Sequence, residues 1–174
     1  TANQLSYIEL RDVEVLSTSN FAVLSSTQVA GLSLAQVASL ATTALSALSS
    51  LALRGLTPKQ IVALTTQQSA NLPSSVVSGL TSTQIRSLET RDFVMLSTAS
   101  VQSLNTLQLA GISTAQMKSL STSQIGVLTS SQLGALTSAQ VVALSSTQIM
   151  ALTSSQFGQI TNKGGKSYSP IVLD

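Results

Sequence analysis

Three groups of residues in this chain are of types that could do chemistry, and only one is spaced to act repeatedly. The acidic side chains form two clusters, Glu9, Asp12 and Glu14, then Glu89 and Asp92. Neighbouring carboxylates can divide general acid and base roles. These clusters stand far apart, with Glu9 and Glu89 separated by 80 positions. Serines are plentiful, but the chain has no His, and no base is placed to activate a hydroxyl. With no Cys either, the usual nitrogen and sulfur ligands for a transition metal are missing. Gly164-Gly165 lacks the strand-to-helix context of a phosphate loop. The third group is Ser or Thr with Gln three residues later, as in Thr57 and Gln60, Thr81 and Gln84, Thr129 and Gln132, and Thr137 and Gln140. At that spacing the hydroxyl accepts from the third helical amide, and the Gln side chain reaches back to the cap amide. This is the chemistry of starting a helix.

The elements that carry these pairs follow from a second pattern. Leu or Ile stands at every eighth position from Ile8 to Ile160 without insertion or deletion. The series includes Leu24, Leu32, Leu64, Leu80, Leu96, Leu120, Leu128, Leu136, Leu144 and Leu152, which are read here as the structural core. Ser or Thr follows most of these leucines directly, so each octad begins with its own cap. Pro58, directly after the cap Thr57, sits where proline is favoured in a helix. A second apolar residue, such as Ile61, Ile85 or Val141, lies three before the next leucine and so on the same helical face. The residue before each leucine is usually Gly or Ala, which lets backbones approach closely.

One continuous helix does not fit this period. Eight residues at about 100° each overshoot two turns by roughly 80°, so the leucines would spiral and never form a seam. The seven- and eleven-residue periods of coiled coils are absent. The chain must therefore bend at each cap. Helices of this length are unstable alone, and two apolar side chains per octad do not offset the entropy of ordering eight residues. Stability has to come from stacking successive coils. The expected fold is an all-α solenoid or superhelix of very short capped helices, one per eight-residue repeat, over residues 8–161. Residues 162–174 are expected to form an extended tail, a Gly/Ser/Lys linker followed by the start of a strand at Ser169–Asp174. Two cues to the number of octads per turn disagree. Gly31, Gly55 and Gly79 recur every 24 residues, whereas Arg54, Arg86 and Lys118 recur every 32.

Composition narrows the function classes. Only 8% of the 174 residues are charged and 3% aromatic, and the net charge is +2. Between Asp92 and Lys163 the one charged side chain is Lys118. Nucleic-acid binding needs clustered Lys and Arg, so no nucleic-acid partner is expected. Mean hydropathy is positive, yet every octad carries Ser, Thr or Gln, and no apolar run reaches the ~20 residues of a membrane span. No membrane insertion is expected. Thr1–Leu10 has no basic head followed by an apolar stretch, which argues against a signal peptide, and the absence of an initiator Met points to a fragment of a longer protein. No cofactor and no enzymatic activity are expected.

Charge is so sparse that two matching segments stand out, Glu9–Thr18 and Glu89–Thr98. Each puts Glu at the cap and Asp where Gln normally stands, an arrangement that still favours a helix start. Arg11, Asp12, Arg91 and Asp92 are the candidate lateral contacts. In the octads around 41–55 and 69–79, Ala44, Ala52 and Val76 replace Gln, and Pro73 replaces the cap. Bends in the array are expected there.

Tandem L-[ST]-x-x-Q-[IV]-x-A octads resemble the repeat arrays of large secreted bacterial proteins of the repeats-in-toxin or calcium-binding type. The resemblance covers about 150 residues, and Ser169-Pro170-Ile171-Val172-Leu173-Asp174 is similar to segments that lead into a calcium loop in such proteins. It implies a secreted or cell-surface location and a calcium-binding segment beyond the C-terminus. The expected function is a structural module, a stalk or spacer or a unit that self-assembles into filaments. Self-association, head-to-tail or lateral, is the expected partnership, because uncapped solenoid ends are apolar and little charge opposes contact. The alternative is a binding or adhesion module that presents Ser/Thr/Gln rows to polysaccharide, a partner surface or ice.

Overall fold

The computed structural model describes residue 5 and residues 7–161; of Glu14 only the backbone is described. The expected tail and strand over 162–174 lie outside the described residues. Nineteen short α-helices follow one another from α1 (Leu10–Glu14) to α19 (Ser154–Gly158), and no strand occurs among the described residues. The all-α solenoid expected from the octads is the fold observed. Each helix starts from an extended cap residue, as at Thr57 with φ −72° and ψ 158°, and it closes within four to six residues before the next leucine. In the octads that begin at Ala41, Ser49 and Pro73, helices still form at Thr42–Ala47, Ser50–Leu53 and Ser74–Gly79. Ala44, Ala52 and Val76 are buried there, in the place of the glutamine.

Stacking follows a fixed rule. α7 (Pro58–Val62) packs on α10 (Ser82–Ser87), α10 on α13 (Thr106–Gly111), α13 on α16 (Ser130–Ala135), and α16 on α19. Each helix body thus rests on the third helix before it. The helix N-terminus, however, reaches the fourth: Gln60 of α7 bonds to the carbonyls of Val29 and Leu32 at the end of α3 (Ser26–Ala30). The connection between helices falls between three and four octads. The repeated hydrogen-bond step of 28 residues corresponds to three and a half octads per superhelical turn. The two conflicting cues in the sequence are thereby reconciled, since 24 residues is the step between packed helices and 32 the step from a helix to the one its N-terminus touches.

The core is one continuous column. Leu32, Leu64, Leu80, Leu96, Leu120, Leu128, Leu136 and Leu144 are buried in it, together with the second apolar position represented by Val29, Ile61, Ile85, Leu109, Met117, Ile125 and Val141. Leu24 and Leu152, read as core from the sequence, are only half-buried against it. They lie in the outermost turns, where no further coil covers them. The small position ahead of the leucine faces the first helical residue one turn back. A Cβ on Gly55 would stand 2.0 Å from the Ser26 carbonyl oxygen, and on Gly111 it would stand 3.0 Å from the Ser82 Cβ.

Candidate functional site

The repeated polar feature of this molecule is the glutamine at the third position of each helix, and its side chain does two things at once. The oxygen end works within the helix. The Thr57 amide donates to Gln60 Oε1 at 2.7 Å, and Thr57 Oγ1 accepts from the Gln60 amide at 3.3 Å. Thr81 and Gln84 repeat this at 2.8 and 3.2 Å, Thr129 and Gln132 at 2.7 and 3.2 Å, and Thr137 and Gln140 at 2.8 and 3.3 Å. All four are full capping boxes.

The nitrogen end works between turns. Gln84 Nε2 donates to the Leu53 and Leu56 carbonyls at 2.8 Å each. Gln132 Nε2 reaches Gln102 and Leu104 at 2.8 and 2.6 Å, and Gln140 Nε2 reaches Leu109 and Ile112 at 2.8 and 2.9 Å. The same contact recurs from Gln36 to Gln156. The acceptors are carbonyls at the end of a helix, which have no intrahelical donor. Each glutamine therefore satisfies the start of its own helix and the end of another helix one turn earlier. Gln60, Gln84, Gln132 and Gln140 are all buried, where an amide left without partners would be costly.

This inter-turn ladder was not read from the sequence, which yielded the cap alone. A signal was present. A capping box accepts Glu or Gln equally, yet every full box that carries a long side chain at the third position uses Gln. Only an amide has both an acceptor for the cap and a donor for the preceding turn. Three further capped helices also escaped notice. Asn105 caps for Gln108, Ser17 pairs with Asn20, and Ser97 accepts from the Ser100 amide. Ser100 keeps the inter-turn step with a shorter side chain, its Oγ donating to the Leu72 carbonyl at 2.7 Å.

The charged octads differ from expectation in two respects. Glu9 and Glu89 stand at the cap but make no side-chain capping bond. Their carboxylates pair with guanidinium groups instead, Glu9 with Arg11 at 2.6 Å and Glu89 with Arg91 at 2.7 Å. The short-range pull of an arginine two residues on wins over the amide. Asp92, read as a lateral contact, is 1% exposed. Its Oδ1 accepts from Thr66 Oγ1 at 2.7 Å, across the turn. Asp92 fills a glutamine position, and that position points inward. Arg11, Asp12 and Arg91 remain on the surface.

Little else could act on a substrate. An open groove of about 630 Å³ is lined by Thr114, Lys118, Val142, Ser145 and Ser146, with Lys118 its one ionisable group. Among the described residues no three His, Cys, Asp or Glu side chains gather as a metal site would require. Among the same residues no helix is long and apolar enough to cross a membrane.

A capped helix per octad, a continuous core and a hydrogen-bond ladder between turns define a repeat protein of solenoid type, an architecture suited to a structural role. The ALTTAQ repeat profile matches residues 5–42, 85–122, 106–138 and 132–162, more than half of the chain, and the chain belongs to the ALTTAQ repeat family. No curated protein and no solved structure matches it.

Proposed function

We propose that this chain is a spacer or stalk segment, a rod whose length is set by its number of octads, within a large secreted or cell-surface bacterial protein. The observation that carries the rod is the ladder of Gln amides on the carbonyls of the preceding turn, maintained from Gln36 to Gln156. Local caps and inter-turn bonds make every turn alike, so adding octads extends the rod without a new fold. The secreted setting rests on the resemblance of the octads and of Ser169–Asp174 to repeats-in-toxin arrays. A low-charge surface of Ser and Thr with no acid–base pair or cation cluster fits a passive element better than a catalytic one.

The test is a length series. Variants with seven octads removed or duplicated, two superhelical turns, are measured by small-angle scattering. The maximum dimension should change in proportion to octad number at constant cross-section. A dimension that does not follow octad number, or shortened chains that fail to fold, would sink the rod. For the setting, antibody labelling of intact cells and of the culture medium should find the protein, and retention inside the cell would count against it.

A further inference from the structure

Both ends of the stack carry unmet hydrogen-bond and packing capacity, and the two sets match. At the N-terminal edge, Gln28 Oε1 accepts from the Ser25 amide at 2.9 Å, but its Nε2 has no acceptor among the described residues. Asn20 Oδ1 accepts from the Ser17 amide at 3.0 Å, and its amide nitrogen likewise reaches no carbonyl. Val15 and Val23 are each 80% exposed. They occupy the position before the leucine, which in the interior, as at Val127, is half-buried. At the C-terminal edge, the carbonyls of Leu152 and Ile160 receive no side-chain donor among the described residues. Ser146 and Ser154, the first residues of α18 (Ser146–Met150) and α19, are exposed.

We propose that a second copy of this chain docks its N-terminal edge on this C-terminal edge and continues the superhelix. One register satisfies all four groups. If the incoming copy is counted on from Ile160, the 28-residue step seen inside the molecule places Gln28 on the Ile160 carbonyl and Asn20 on the Leu152 carbonyl. The 29-residue step by which Gly55 faces Ser26 and Gly111 faces Ser82 places Val15 over Ser146 and Val23 over Ser154. The half-buried Leu16 and Leu24 of the incoming copy meet the half-buried Ile149 and Leu152, so the apolar column also runs on. A head-to-tail contact of this kind does not close on itself, and it produces linear oligomers. No charged side chain other than Asp12 takes part. The contact rests on the spacer reading for its biological use but not for its geometry, and discrete monomeric rods would leave that reading intact.

Sedimentation velocity on the full chain, from low micromolar to millimolar concentration, tests the contact. The mass-average size of the native protein should rise with concentration and stay nearly constant as salt is raised, since the contact is uncharged. Gln28→Glu keeps the cap acceptor and removes the donor, and it should weaken association about tenfold. Val23→Asp alters an exposed side chain, so its melting temperature should match the native chain while the concentration-dependent rise is lost. A native chain that remains monomeric throughout overturns the proposal. So does association by Val23→Asp equal to the native chain, which would place the contact elsewhere.

Discussion

Gln108 Nε2 lies 2.6 Å from the Leu80 carbonyl oxygen, 28 residues earlier, while its Oε1 accepts from the Asn105 amide at 2.7 Å. One side chain thus bridges a helix start and a helix end on successive turns. In a longer helix the last four carbonyls and first four amides are a small fraction of the backbone. Here nearly every residue is within one turn of an end, so satisfying ends is the main polar problem of the fold. The octad answers it with one residue per repeat. That is why a chain of helices no longer than six residues holds together with so few charges.

Replacing Gln140 separates its two duties. Gln140→Glu keeps an acceptor for the Thr137 amide but removes the donor to Leu109 and Ile112 and sets a carboxylate against their oxygens. We expect a loss of about 3 kcal/mol at neutral pH, measured by urea unfolding, and a smaller loss for Gln140→Ala, since Ala44 and Ala52 already occupy this position. The carboxyl of the Glu variant is raised above its unfolded value, so the penalty is present at neutral pH. As the pH falls through the folded value the group gains a proton, can donate again, and the penalty fades. A Glu variant equally destabilised at low pH would show that the carbonyl ladder is not the cause.

Gly55 and Gly158 give opposite expectations for the same change. A Cβ on Gly55 would fall 2.0 Å from the Ser26 carbonyl oxygen, whereas one on Gly158 meets nothing within 4 Å. Gly55→Ala should cost about 2 kcal/mol or more through forced separation of two turns. Gly158→Ala should stabilise by roughly 0.5–1 kcal/mol through helix propensity. Thermal melts of the two variants compare them directly, and equal shifts would contradict the close approach of adjacent turns at Gly55.

The fold class was legible because its signals are local. Caps at Thr57, Thr81, Thr129 and Thr137 and apolar residues at Leu64 or Ile85 act within one octad, and an octad is visible in a line of text. The number of octads per turn was not legible, because three and a half is not an integer. Glycines such as Gly55 and Gly79 mark contacts with the third helix back, and no single sequence spacing marks the 28-residue step. The inward placement of Asp92 was missed for a related reason. Its charge suggested surface, but its register is that of Gln84 and Gln116, and in this fold register decides burial.

That register makes Asp92 the costly member of the series. A buried carboxylate stands where its neighbours present an amide, and its nearest cation is the exposed Arg91 at 3.7 Å. Asp92→Gln should restore a donor to the carbonyl 28 residues back, at Leu64, and raise stability by about 1–2 kcal/mol. Thr66, which loses its acceptor, is exposed and can turn to water. Urea midpoints at constant slope would report the gain, and a drop in the midpoint would mean that the Thr66 contact outweighs the ladder.

Ser69 is the second misfit, at the position where Val101, Ile125 or Val141 enters the core. It is fully buried, and its Oγ is the one buried side-chain polar atom without a partner among the described residues. An unpaired hydroxyl in an apolar column loses its hydration and regains nothing. Ser69→Val removes that loss and matches the side chain used elsewhere at this position, so it should stabilise the protein by about 1–3 kcal/mol. Ser69→Ala removes the hydroxyl without filling the space and should gain less. If Val destabilises while Ala stabilises, the space around Ser69 is too small for a branched side chain, and the serine is there for its size.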